Sequence, residues 1–98
     1  MLADLTTRIT ALVQDMEPVG FNLKFDLAGE GIIFVAAKEA PVAVSNTEGV
    51  AETTLILSAQ DLQQLLDGKL NPTTAFVFGK LKVEGDMSNA MSLISLFN

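Results

Sequence analysis

The chain of 98 residues contains no cysteine, histidine, tryptophan or tyrosine. Without cysteine, disulfide bonds, thiol chemistry and sulfur ligands for a metal are excluded. Without histidine, the most common general base and metal ligand of proteins is missing. Two carboxylate pairs remain, Asp15 with Glu17 and Glu48 with Glu52, and a solvated surface accounts for both. We therefore expect no catalytic residue, no metal and no cofactor, and a protein that is not an enzyme.

Positive charge is also scarce. Six lysine and arginine residues stand against 12 acidic residues, for a formal net charge of −6. Nucleic-acid binding needs clustered cations, and an anionic membrane should repel the chain as a whole, so we expect neither nucleic acid nor stable membrane insertion. No apolar run is long enough to span a membrane, and no basic segment precedes an apolar one at the N-terminus. These absences favour a cytoplasmic protein.

What the chain does contain is an excess of apolar residues. They make up 49% of the sequence, and the mean hydropathy is +0.40. A chain of this length is expected to fold as one domain, here residues 1–98, and the surface of so small a domain should dilute its core. We therefore predict that some apolar surface meets a ligand, a partner or a second copy of the chain.

The first half of the chain predicts one helix followed by strands. Apolar residues recur at steps of three and four over residues 2–16, which is typical of an amphipathic helix. Alternation over 21–27 predicts a half-buried strand, and the glycines of 28–31 predict a hairpin turn. Further strands are predicted at 32–37, 42–45 and 53–57. We expect these four strands to form an antiparallel meander.

The second half predicts helices around one more strand. Ser58 is a candidate N-cap for a helix that ends at Gly68. Asn71 and Pro72 start a short turn or helix. Residues 80–84 predict an edge strand because its outer face is charged. Asp86 caps a last helix over residues 87–97.

Two segments carry more apolar surface than a small fold needs. The last helix has an apolar face well beyond the usual stripe of about 100°, and Met87, Ala90, Met91 and Ile94 lie on it. It is either an unusually buried terminal helix or one that packs on the sheet and also touches a ligand or partner. Strand 32–37 is apolar on both faces, so its second face is either covered or meets a partner.

The order of motifs in the last third resembles the sterol carrier protein type 2 domain. The resemblance rests on DGKLNPTTAF at 67–76, GKLKV at 79–83, GDM at 85–87, and Ala90, Met91 and Leu93. The upstream strands match in pattern, and the chain is most similar to the stand-alone bacterial members. It departs at Phe78, where animal members carry glutamine, and at Ser92, where the family often has lysine.

The resemblance implies an α+β fold: a five-stranded, mostly antiparallel sheet with helices packed on one face and an apolar tunnel between the layers. It implies non-catalytic binding and transfer of lipids such as fatty acids, acyl groups or sterol-like molecules. The candidate lipid-binding residues are Phe76, Phe78, Met87, Ala90, Met91 and Ile94.

An alternative hypothesis is an interaction module with little ligand binding of its own. Domains resembling this family occur as accessory parts of lipid-related enzymes, such as alkyl sulfatases and ubiquinone-biosynthesis factors. In that case an outer sheet face around Ile33 and Val35 would form a homodimer or dock onto an enzyme. An enclosed pocket favours lipid binding, whereas an open apolar patch on the sheet favours assembly.

Overall fold

The protein is an α+β domain, as the sequence predicts. The structure, a computed structural model, describes residues 1–94, except for the side chains of residues 93 and 94. In chain order the elements are α1 (Leu2–Val13), β1 (Leu23–Asp26), β2 (Ile32–Ala36), β3 (Ala43–Ser45), β4 (Thr53–Ile56), α2 (Ala59–Leu66), α3 (Pro72–Val77), β5 (Lys82–Gly85) and α4 (Met87–Ile94). The predicted end of the last helix, residues 95–97, lies outside the described residues.

The five strands form one mixed sheet in the order β3-β2-β1-β4-β5. Three of the neighbouring pairs are antiparallel, and β1 pairs with β4 in parallel. The predicted meander of the first four strands is therefore wrong at β4, which lies beside β1 and away from β3. The segment after β3 crosses the sheet to reach that position. Period-two alternation identifies strands but contains no information on which strands pair.

One face of the sheet forms the core together with the helices. Register places Leu23 opposite Val35 and Phe25 opposite Ile33, so these four side chains point to the same face. All four are buried, in one cluster with residues of α1 and α2. The prediction that Ile33 and Val35 form an outer face is wrong. Their exposed fractions are 0% and 1%, because the register turns them towards the helices.

The opposite face of β2 is half-buried and partly covered by the chain itself. Ile32, Phe34 and Ala36 lie on it. The segment between β3 and β4 passes over the Phe34 ring, and a Cβ added at Gly49 would lie 2.9 Å from that ring. Glu48, in the same segment, accepts a 2.6 Å hydrogen bond from Lys24 of β1. This segment accounts for a strand that is apolar on both faces.

Side-chain caps define the short helices. Ser58 accepts from the Asp61 N–H at 3.0 Å, and Asn71 accepts from the Thr73 and Thr74 N–H groups. Asp86 accepts from the Asn89 N–H at 3.1 Å, which confirms it as the cap of α4. α1 is shorter than predicted because residues 14 and 15 form a turn before Pro18.

Gly85 joins β5 to α4 at a close approach to β4. Its φ is +89°, and a Cβ there would clash with the Glu52 carbonyl oxygen. Gly79 has a similar φ of +76°, but nothing lies within 4 Å of its added Cβ. Alanine at either position would strain the backbone, because both residues have a positive φ. Only at Gly85 would the added Cβ also clash with the backbone of Glu52.

We predict that Gly79→Ala lowers the free energy of unfolding by about 1–2 kcal/mol, the usual cost of a left-handed residue other than glycine. Gly85→Ala should cost a further 1–3 kcal/mol, about the range for overpacking. Urea unfolding of both variants measures the difference. Equal losses for the two variants would contradict the close approach between β5 and β4.

Candidate functional site

An apolar crevice lies between α1 and the core face of the sheet. Its lining comes from α1, the segment that follows α1, β1, β2 and the residue after β2. The lining residues are Ile9, Leu12, Val13, Met16, Val19, Phe21, Leu23, Phe25, Val35 and Ala37. Every one of them is apolar. Such a lining accepts hydrocarbon and offers no side-chain polar group to a substrate or a metal.

The crevice is almost closed. Its volume is about 10 Å³, no more than a single water needs, and an apolar site of this size stays dry. Leu12 and Val19 are 38% and 41% exposed and form its outer edge together with the half-buried Met16. The buried side chains of Val13 and Val35 lie deeper. A ligand of any length must therefore separate α1 from the sheet.

The contacts of α1 differ between its two ends. Near its N-terminus, the Arg8 guanidinium lies 2.6 Å from the Asp67 carboxylate at the end of α2, and Asn46 donates a 2.9 Å hydrogen bond to the Thr6 hydroxyl. Among the described residues, no side-chain hydrogen bond or ion pair links residues 9–17 to another element. The end of α1 that lines the crevice is therefore held by apolar packing alone.

A set of polar contacts, which we call the polar brace, fixes the edge of the crevice that the segment after α1 forms. Glu52 accepts the Asn22 N–H at 2.7 Å, and the Asn22 side chain accepts the Ala37 N–H at 3.2 Å. The Ala37 carbonyl in turn accepts the N–H groups of Val19 and Gly20. The backbone segment that carries Val19 and Phe21 is thus anchored to β2 and to the residue before β4.

Two hydrogen bonds lower the pKa of Glu52 to about 2. The one from the Asn22 N–H has the larger effect, and the one from the Lys38 ammonium, at 2.9 Å, has the second largest. These contacts favour the charged carboxylate, so the brace strengthens folding where Glu52 is ionised in both the folded and the unfolded state.

The predicted lipid-binding residues lie elsewhere in the structure. Phe76, Phe78, Met87 and Met91 are 41%, 73%, 46% and 55% exposed. Ala90 is buried in the main core cluster, and the Ile94 side chain lies outside the described residues. None of the five whose side chains the structure describes lines the crevice. Their role in lipid binding stays a prediction.

The resemblance implies an apolar tunnel between the layers, but the residues that line this crevice were not predicted from the sequence. The stripe along α1 predicts core packing, and the alternation of β1 predicts the same for Phe21, Leu23 and Phe25. A weak signal was present in Leu12, an apolar residue directly beside Val13 that widens the stripe of α1. Periodicity does not distinguish a closed core from one that can separate.

The chain matches proteins of one family over nearly its whole length. The profile of the SCP-2 sterol transfer family matches residues 3–98. Sterol carrier protein 2 of Gallus gallus is 42% identical over 65 residues, which cover 66% of this chain and 12% of the chicken protein. The chain therefore corresponds to a small part of that relative.

Two solved structures have the same fold. The sterol carrier protein domain 2 of Helicoverpa armigera aligns with a TM-score of 0.73 and 28% identity, over 97% of this chain and 83% of that one. Sterol carrier protein 2 of Aedes aegypti, solved in complex with palmitate, aligns with a TM-score of 0.78 and 18% identity, over 96% and 91% of the two chains. At 18% identity, the similarity to the Aedes aegypti protein shows a shared fold only.

Glu52→Gln should lower stability at neutral pH, because the amide keeps an acceptor for Asn22 but loses the charge. The folded pKa of Glu52 is about 2, below the ordinary value of 4.5. Its contribution is therefore complete above pH 4.5 and is lost as the pH falls towards 2. We expect the stability gap between the wild type and Glu52→Gln to narrow over that interval.

Urea unfolding between pH 2 and 7 measures this gap. Glu30→Gln is the matched control, since Glu30 is an exposed turn residue whose side chain makes no ion pair within residues 1–94. We expect this control to stay close to the wild type at pH 7. A gap for Glu52→Gln that is constant from pH 7 to pH 2 would contradict the charged brace.

Proposed function

The chain belongs to the SCP-2 sterol transfer family, and we therefore propose that it binds and transfers lipids without catalysing a reaction. The proposed binding site is the crevice between α1 and the sheet, opened into a tunnel by the ligand. The proposal rests on the lining of the crevice, in which none of the ten described residues has a polar side chain. A fatty acyl chain is the proposed cargo class, supported by the palmitate bound to the Aedes aegypti relative.

The closed crevice is compatible with this function. An empty tunnel of about 300 Å³ would cost about 7 kcal/mol at about 24 cal/mol per Å³. That is comparable with the whole stability of a small domain, about 5–15 kcal/mol. A domain of this size is therefore more stable when α1 closes onto the sheet in the absence of a ligand. We propose that the cargo separates the C-terminal half of α1 from the sheet, since in the described part of the chain this half makes only apolar side-chain contacts with other elements.

The affinity should be modest and the specificity broad. Burying about eight methylene groups at about 0.8 kcal/mol each contributes about 6 kcal/mol before the costs of association. This gain supports at best micromolar binding unless the head group adds contacts. Because methylene groups discriminate weakly, acids of neighbouring chain length should compete closely.

We propose that candidate residues from the family resemblance line an extension of this site. We propose that an opened tunnel extends towards α4, where Met87 and Met91 are half-exposed and the neighbouring Ala90 is packed in the core. This extension requires a larger opening than the crevice alone. The cytoplasmic location and the stand-alone bacterial type also remain predictions.

Homodimerisation through β2 has no support in the packing of Ile33 and Val35, which are buried. The broader alternative of an accessory module stays open as a prediction. An apolar surface that could serve it does exist, at residues 76–78, and its position differs from the predicted one.

Leu12→Glu should weaken binding of C12–C18 fatty acids by about tenfold or more, because it places a charge at the edge of an apolar site. Leu12 is 38% exposed, so the variant should fold. Val50→Glu is the matched control. It makes the same kind of change at a residue that is 87% exposed and outside the crevice lining.

Titration calorimetry and thermal shift with each acid measure the effect on proteins freed of carried-over lipid. The proposal requires binding by the wild type and by Val50→Glu, and its loss in Leu12→Glu. It is wrong if no acid binds the wild type, and the crevice is the wrong site if Leu12→Glu binds as the wild type does.

A further inference from the structure

Three consecutive apolar residues are exposed at the end of α3. Phe76, Val77 and Phe78 are 41%, 71% and 73% exposed. We call these three residues the Phe76–Phe78 turn. Single exposed apolar residues are ordinary on protein surfaces, whereas a contiguous group with two phenylalanines marks a binding surface.

The folding of this region directs its large side chains outwards. α3 packs inwards through small side chains, since its buried residues are Pro72 and Ala75. The chain then doubles back at Gly79, where φ is +76°, and Lys80 donates its N–H to the Ala75 carbonyl at 2.8 Å. The Phe76–Phe78 turn thus projects from a unit that is anchored without it.

The charged residues of the segment that contains the Phe76–Phe78 turn, between Asp67 and Glu84, are all of one sign. Residues 68–83 contain Lys69, Lys80 and Lys82 and no acidic residue, although the net charge of the chain is −6. All three lysines are exposed. Lys80 is two residues from Phe78, and Lys69 precedes the six-residue α3, which is about 9 Å long at 1.5 Å per residue.

These lysines also differ from the other cations in their partners. Arg8, Lys24 and Lys38 are each within 2.9 Å of a carboxylate oxygen. No ion pair of Lys69, Lys80 or Lys82 occurs among the described residues. Asp67, the acidic residue nearest to Lys69 in sequence, is bound by Arg8. Within residues 1–94, the cationic side chains without an ion-pair partner are the three in the segment that contains the exposed phenylalanines.

We propose that the Phe76–Phe78 turn docks the protein on an anionic lipid surface. The aromatic and aliphatic side chains enter the boundary between head groups and acyl chains, and the lysines contact the anionic head groups. Exposed apolar side chains flanked by lysines are the combination that binds such interfaces. A protein partner would need to match both properties, whereas an anionic bilayer presents them together.

The net negative charge of the chain is consistent with this docking. At physiological ionic strength the Debye length is about 8 Å, so carboxylates farther than that from the bilayer are largely screened from it. We expect the net negative charge to favour approach through the segment that contains the three lysines and to keep the attachment reversible. No helix within residues 1–94 is long and apolar enough to cross a bilayer, and the docking needs none.

The chain contains no tryptophan or tyrosine, so a single Trp introduced at the turn reports on that position alone. Phe78→Trp retains an aromatic side chain at a site that is 73% exposed, and Val50→Trp is the control at 87% exposure. Each variant is mixed with vesicles of phosphatidylcholine alone or with phosphatidylserine added, without a fatty acid.

We expect the emission of Phe78→Trp to shift to the blue and to be quenched by brominated lipids with the phosphatidylserine vesicles only. Val50→Trp should not respond. Adding Lys69→Gln, Lys80→Gln and Lys82→Gln to Phe78→Trp should weaken binding at least about tenfold, since each lysine near the surface contributes roughly fivefold. High salt should weaken binding in the same direction.

The proposal is overturned if Phe78→Trp does not respond to anionic vesicles, if Val50→Trp responds equally, or if the three lysine substitutions change nothing. A blue shift without vesicles that grows with protein concentration overturns it as well and assigns the turn to contact between copies. Because no cargo is present, the result is independent of the proposed crevice site. Docking without fatty-acid binding would refute only the proposed function.

Discussion

The apolar contact between α1 and the core face of the sheet is the interaction on which the rest of the structure depends. Leu5, Ile9 and Val13 of α1 are all buried on one side of the helix. They pack in one core cluster with the inward side chains of β1 and β2. A domain of 98 residues has little stability to spare, so an open tunnel here would unfold or collapse it. Under the proposed function, the crevice of about 10 Å³ is the form that the site takes without a ligand.

Polar contacts distinguish the part of that layer which we propose to separate. Arg8 with Asp67 and Thr6 with Asn46 hold the N-terminal half of α1 to its neighbours. Glu52 and Asn22 hold the edge of the sheet on the other side of the crevice. Among residues 1–94, the C-terminal half of α1, between these anchors, makes only apolar side-chain contacts with other elements. Packing without directional hydrogen bonds can be exchanged for contact with an acyl chain at small net cost, whereas a broken ion pair or brace cannot.

Much of the fold could be predicted from the sequence because local signals were strong. The caps at Ser58 and Asp86, the helix start at Asn71 and Pro72, and the alternation of β1 each depend on residues close together in the chain. The predictions that were wrong concern features that depend on residues far apart in the chain. The parallel pairing of β1 with β4 is set by the crossing of the segment around Gly49, which has no period. The orientation of Ile33 was ambiguous because β2 is apolar on both faces, and only its register with Phe25 decides which face is the core.

The candidate site was harder to predict than the fold for the same reason. Lining residues such as Val13 and Val35 have the pattern of an ordinary core.

The most direct test of acyl-chain binding in the crevice is a set of intermolecular nuclear Overhauser effects between ¹³C-labelled protein methyl groups and bound unlabelled palmitate. We predict contacts from the acyl chain to Leu12, Val13 and Val35, and none to Val50. Binding with contacts to the methionines of α4 alone, or without contact to α1, would contradict binding in the crevice.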